Sequence, residues 1–192
     1  MNPSIPPTNI KTDRSISMAW ANLYSILFII PIALMALLYY CIWGAAPLSG
    51  LFRENTPWSI YLTALFVFII GVVVHEWIHA FSWMYFSKMP RAAIKFGINW
   101  KALSPYAHCT QPMDISAYRL GTMLPGLLLG IVPYVIGLFF GNIWIALLGL
   151  VFTFAASGDA IILWSLRRVS KGQWVEDHPH RAGCYVIDQS TG

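Results

Sequence analysis

Residues 75 to 79 read His-Glu-Trp-Ile-His. On a helix, positions i and i+4 lie about 40° apart, so both imidazoles project from one face and can ligate a single metal ion. Glu76 falls beside them, where a carboxylate can take a proton from water and deliver it to a leaving amine. A divalent metal assists by lowering the pKa of water from about 15.7 to about 7. The competing reading is structural: histidines near a membrane boundary hydrogen-bond neighbouring helices, and a glutamate can snorkel to the headgroups. That reading explains any one of the three residues better than all three at this spacing.

A catalytic zinc takes three protein ligands and leaves a fourth position open. The chain has eight carboxylates, Asp13, Glu54, Glu76, Asp114, Asp159, Glu176, Asp177 and Asp188. Of these, Asp159 alone joins Glu76 inside a segment apolar enough to cross a bilayer. An unpaired aspartate there would be costly, so it calls for a functional partner. His108 is the rival third ligand, Cys109 beside it a possible soft one, and His178 and His180 in "DHPHR" read as turn residues.

The elements that must position these residues follow from composition. The 192 residues are 57% apolar and 10% charged, a balance soluble domains rarely reach. Four runs are long enough to span a bilayer: Leu23–Trp43, Trp58–Phe81, Leu120–Phe140 and Asn142–Leu166. The first is longer than a signal-peptide core and is expected to be retained, despite a cleavage-like Gly44-Ala45-Ala46. His75 lies 17 residues from Trp58, and Asp159 lies 17 residues from Asn142. Both are therefore about 25 Å along their helices, near the far edge of a roughly 30 Å hydrocarbon core. The small residues from Ala155 to Gly158 are expected to let helix four approach helix two there.

The fold class expected is an all-α membrane protein: four transmembrane helices, with a cytoplasmic loop that contains a short β-hairpin between helices two and three. The hairpin is read from basic and alternating apolar residues around Gly97, Asn99 and Pro105 in loop 87–119. Helix three carries Gly126-x-x-x-Gly130 and Gly137-x-x-x-Gly141, spacing suited to close packing, and Pro125 and Pro133 can bend it. The organisation expected is a cytoplasmic segment 1–22, one domain over 23–166, and a cytoplasmic tail 167–192 ending in a strand-like "CYVI".

Charge orients the bundle. With the N-terminus inside, the inner segments hold Lys11, Arg14, Lys88, Arg91, Lys95, Lys101, Arg119, Arg167, Arg168, Lys171 and Arg181, and the outer ones only Arg53. Eleven against one accounts for all twelve cations and places both termini in the cytoplasm of an inner-membrane protein. The net charge of +4 then reflects topology and anionic lipid, and needs no nucleic acid. Three cysteines without CxxC spacing imply no disulfide framework.

With "HEWIHA", "YAHCTQPM", "SGDA" and "DHPHRAGCYV" in this order, the chain resembles a family of small bacterial membrane proteins described as putative zincin peptidases. An HExxH at the inner end of one span, with an aspartate on a later one, also resembles the site-2 group of intramembrane zinc proteases. The resemblance implies Zn²⁺ held by His75, His79 and Asp159, with Glu76 as general base, acting on a membrane protein or peptide. It further implies that the segment Ala93–Gln111 presents an extended substrate by strand pairing. Three other classes fit the same residues less well. A non-catalytic metal-binding or sensing protein would not need Glu76, and a non-haem iron site gives that glutamate no role. A metal transporter would want more intramembrane acids.

Overall fold

A computed structural model describes residues 10–49, 51, 57–100 and 104–188. Arg53 and Lys101, both counted in the charge asymmetry, lie outside the described residues, as do the first nine residues and the last four. Three helices are long and apolar enough to cross a membrane: α1 (Met18–Trp43), α2 (Trp58–Phe86) and α3 (Ile115–Phe140). A fourth candidate is the pair α4 (Ile143–Ala155) and α5 (Ser157–Ser165), bent by 42°, if the two are counted as one span. The run Asn142–Leu166, expected as one spanning helix, is therefore two helices with a break at Ala156.

Local chemistry sets the helix ends. Ser17 caps α1 by accepting from Trp20 N at 3.3 Å, and Asp114 caps α3 by accepting from Ser116 N at 2.7 Å. Between α3 and α4, Gly141 adopts φ +66°, a left-handed stop that favours glycine, and Asn142 caps α4 through Trp144 N and Ile145 N. That two-residue reversal makes α3 and α4 a tight antiparallel pair.

Glycine faces close the pair. A Cβ on Gly149 would stand 2.3 Å from Tyr134 N, and one on Gly137 would stand 2.3 Å from Ala146 N, so neither helix could approach as closely with a larger residue. At the break, a Cβ on Gly126 would meet that of Ala156 at 2.9 Å. Within the expected small-residue run, Ala155 to Asp159, Ala156 packs helix four closely against helix three. Pro125 is followed by a π-helical turn, Gly126–Ile131, since proline cannot donate in a regular ladder.

Only 6% of the most apolar window of α1, and the same share of α2, is buried inside the protein, against 22% for α3. Leu27, Ile30, Leu34, Phe66 and Ile69 all face outward. Surface of this kind is stable when lipid covers it.

The largest core lies at one end of the spans. Trp83, Cys109, Met113, Ile115, Tyr118, Leu166, Val175, Cys184 and Val186 pack together where α2 ends, α3 begins and α5 ends. Strands roof this core. β2 (Ile94–Asn99) and β3 (Ser104–Cys109) form an antiparallel pair, with Phe96 opposite Ala107. A second sheet has the order β1 (Ile10–Asp13), β6 (Cys184–Asp188), β5 (Trp174–Asp177), β4 (Met113–Asp114). It joins the segment before α1 to the segment after α5, with Lys11 opposite Ile187 and Val175 opposite Val186. The chain is therefore mostly helical but not all-α: a four-stranded sheet joins the segment before α1, the end of loop 87–119 and the tail.

Candidate metal centre

His75 and His79 occupy one face of α2, and both are buried. Across from them, Asp159 stands in the first turn of α5, where the helix dipole favours a carboxylate. His75 Nε2 lies 3.1 Å from Asp159 Oδ2, and His79 Nε2 lies 3.5 Å from Asp159 Oδ1. Asp159, three residues past the break at Ala156, reaches both histidines of α2 through its side chain.

One ligand atom from each of the three residues lies within 4.8 Å of the others. Ligands about 2.1 Å from a tetrahedral ion are separated by about 3.4 Å, and the two histidine nitrogens stand 3.1 Å and 3.5 Å from the two different oxygens of Asp159. Two imidazole nitrogens and one carboxylate oxygen also form the donor set of a catalytic zinc with one open position. The residues present fit the ion.

His79 is oriented from behind. Its Nδ1 is 2.9 Å from the Gly121 carbonyl oxygen, which can only accept, so Nδ1 carries the hydrogen and Nε2 keeps its lone pair for the metal side. The His79 ring stacks on Trp83 at 5.6 Å, and Trp83 stacks on Tyr118 at 5.8 Å. Gly121 serves twice, because a Cβ there would lie 2.3 Å from Trp83 Nε1.

Glu76 is half-buried beside the three candidate ligands, and the Ala107 backbone N–H of β3 reaches its carboxylate. Trp77, next along, stacks on Phe96 of β2 at 6.0 Å. The hairpin is thus seated directly on the HEWIH turn. Glu76, His75, His79 and Asp159 line one cavity of about 960 Å³, walled also by β3 and by the turn between β5 and β6.

A family model described as "Putative zincin peptidase" matches residues 68–174, more than half of the chain. The chain belongs to that family. The matched stretch of this zincin family member contains the HEWIH turn, the hairpin and Asp159, and it ends before Asp177. No curated protein and no solved structure matches the chain.

The remaining candidates fall elsewhere. His108 stands apart from the three ligands: its Nδ1 donates to Asp177 Oδ2 at 2.7 Å. Cys109 is buried, and burial raises its thiol above the ordinary range. His178 organises a turn, its Nδ1 accepting from the backbone N–H of His180 and of Arg181, each at 3.0 Å, while Nε2 pairs with the Tyr185 hydroxyl at 2.9 Å. All three cysteines are free thiols.

Two residues of the site escape a sequence reading. Gly121 acts through its carbonyl, which every residue has, and Asp177 sits in a polar tail with no local pattern to set it apart. Asp177 accepts from His108 Nδ1, from Cys109 N at 3.3 Å and from the Tyr118 hydroxyl at 3.0 Å.

Proposed function

We propose that this chain is an integral-membrane zinc metallopeptidase that hydrolyses peptide bonds of membrane-embedded or membrane-proximal substrates at the inner face of the membrane. The observation that carries the reading is the convergence of His75, His79 and Asp159 on one point, with Glu76 on the wall of the same cavity.

His75, His79 and Asp159 would hold the ion. Zinc, when bound, supplies the Lewis acidity that polarises a carbonyl and acidifies water. Glu76 takes a proton from the attacking water and returns it to the departing amine nitrogen, so that the carboxylate is regenerated each turn. The Gly121 carbonyl keeps His79 in the ligating tautomer. Water and an unwound peptide reach these groups through the cavity beneath the strands, at the end of the bundle where the basic residues gather.

The substrate-presenting strand implied by the site-2 resemblance meets a specific geometry here. On the edge of β3 away from β2, the N–H groups of Ala107 and Cys109 turn to Glu76 and Asp177. A substrate strand would have to displace those contacts, or lie against another wall of the cavity.

The test is a comparison of the wild-type chain with Glu76→Gln and His79→Ala in membranes that carry a single-span reporter. Expected are one zinc per wild-type chain and reporter cleavage, zinc without cleavage in Glu76→Gln, and neither in His79→Ala. A Glu76→Gln protein that keeps full cellular function while His79→Ala loses it would favour a non-catalytic metal-binding role.

A further inference from the structure

Within the catalytic cavity, His108 and Asp177 form a second pair of functional side chains. Asp177 accepts three hydrogen bonds: Oδ2 from His108 Nδ1 and Cys109 N, and Oδ1 from Tyr118. A carboxylate held by three donors from β3 and α3 is a rigid acceptor. The imidazole bound to it is fixed in orientation, with its hydrogen on Nδ1. The second ring nitrogen, Nε2, is left for the cavity. His108 also follows directly after Ala107, whose N–H reaches Glu76, so the ring and the general base are anchored one residue apart on the same strand.

We propose that His108 is a catalytic residue: with Nε2 protonated, it donates a hydrogen bond to the scissile carbonyl oxygen as that oxygen gains negative charge. Asp177 is the positioning residue that holds the ring. The assignment rests on the peptidase reading above. It divides the labour of the cavity, with Glu76 moving the proton of water and His108 stabilising charge on the substrate. Preorganised donors of this kind act where charge develops, so they lower the barrier more than they tighten substrate binding. The alternative is that the pair merely clamps the hairpin to the tail sheet.

The test uses the full chain, zinc-loaded, in detergent micelles. For His108→Gln and Asp177→Asn, zinc content, thermal midpoint, and kcat and KM on a peptide cleaved by the wild type are measured. Affinity is measured for two probes, a phosphinic pseudotripeptide with a tetrahedral anionic centre and a peptide hydroxamate that chiefly chelates metal. Expected for His108→Gln is a fall in kcat of about 10²–10³-fold, typical of losing one such donor. KM should stay within about threefold, as for an interaction made only in the transition state. Zinc should be unchanged, and phosphinic affinity should fall by at least tenfold with hydroxamate affinity preserved. Asp177→Asn should move the same quantities less.

Equal losses for the two probes, or a kcat that falls only in step with zinc or thermal midpoint, would mean a clamp and overturn the assignment. Should the variants not fold, the wild type still decides. The ¹⁵N resonance of His108 Nε2 should shift on binding the phosphinic peptide, and no shift overturns the proposal. A wild type that binds zinc and cleaves nothing refutes the peptidase reading instead, and the phosphinic and NMR measurements then judge His108 separately.

Discussion

His79 on α2 and Gly121 on α3, 42 positions apart in sequence, are joined by a 2.9 Å hydrogen bond from Nδ1 to the carbonyl oxygen. The ligand tautomer is therefore set by the packing of one spanning helix on another. A Cβ at Gly121 would fall 2.3 Å from the Trp83 indole nitrogen, so Gly121→Ala must push the indole or separate the helices. Zinc affinity should drop about 10–100-fold, the usual cost of disturbing a partner behind a ligating histidine. Competition with a zinc-responsive dye would measure it, and an unchanged affinity would show that Gly121 does not orient the ligand.

Removing the carboxylate is expected to abolish the centre while removing the base is not. In Asp159→Asn the only anionic ligand is gone, and zinc content should fall to background. Glu76→Gln should retain about one zinc per chain, since three protein ligands remain. Elemental analysis of the purified proteins separates the two outcomes. Chelation of the wild type should also lower its thermal midpoint, because an ion that binds only the folded state adds stability by mass action.

Three of the four groups in these predictions are legible in the sequence and the fourth is not. HEWIH declares its helical face by spacing, and Asp159 by depth, because equal residue counts from the far membrane edge bring two spans to one level. The break at Ala156 is signalled only weakly: the run Asn142–Leu166 holds no proline, and Ser157-Gly158 just after the break is a small pair that permits a kink without requiring one. Gly126 permits the bend from a different helix. The four-stranded sheet escapes for a related reason, since "CYVI" reads as a strand but its partner Ile10–Asp13 lies at the other end of the sequence. Pairing at that separation leaves no local pattern.

Alkaline pH should weaken the fold through Cys184. Burial pushes this thiol up to about 12, while an unfolded cysteine titrates near its ordinary value of about 8.5. The unfolded chain therefore loses its proton first. The stability carried by the neutral thiol is complete below about pH 8.5 and declines by about 1.4 kcal/mol per unit as pH rises toward about 12. Denaturation midpoints between pH 8 and 11 should show this decline in the wild type and a shallower one in Cys184→Ala. Parallel slopes would assign the effect to other groups.

The sheet predicts how the chain tolerates change at β1. Lys11 and Glu176 pair at 2.6 Å on a half-exposed surface, so Lys11→Ala should cost less than about 1 kcal/mol. A proline at Thr12, opposite Val186 in the ladder, should cost clearly more by disrupting the strand itself. Protease susceptibility of the 174–188 segment would report the difference.

Biosynthesis gives the β1–β6 pairing a further consequence. The helices can enter the membrane in order as they leave the ribosome, and both arms of the metal centre exist once α5 is made. The wall formed by β5 and β6 cannot close until residue 188 has emerged, when the waiting strand at Ile10–Asp13 at last finds its neighbour. During translation, then, the nascent chain carries its histidines and aspartate before it carries the chamber that shelters them.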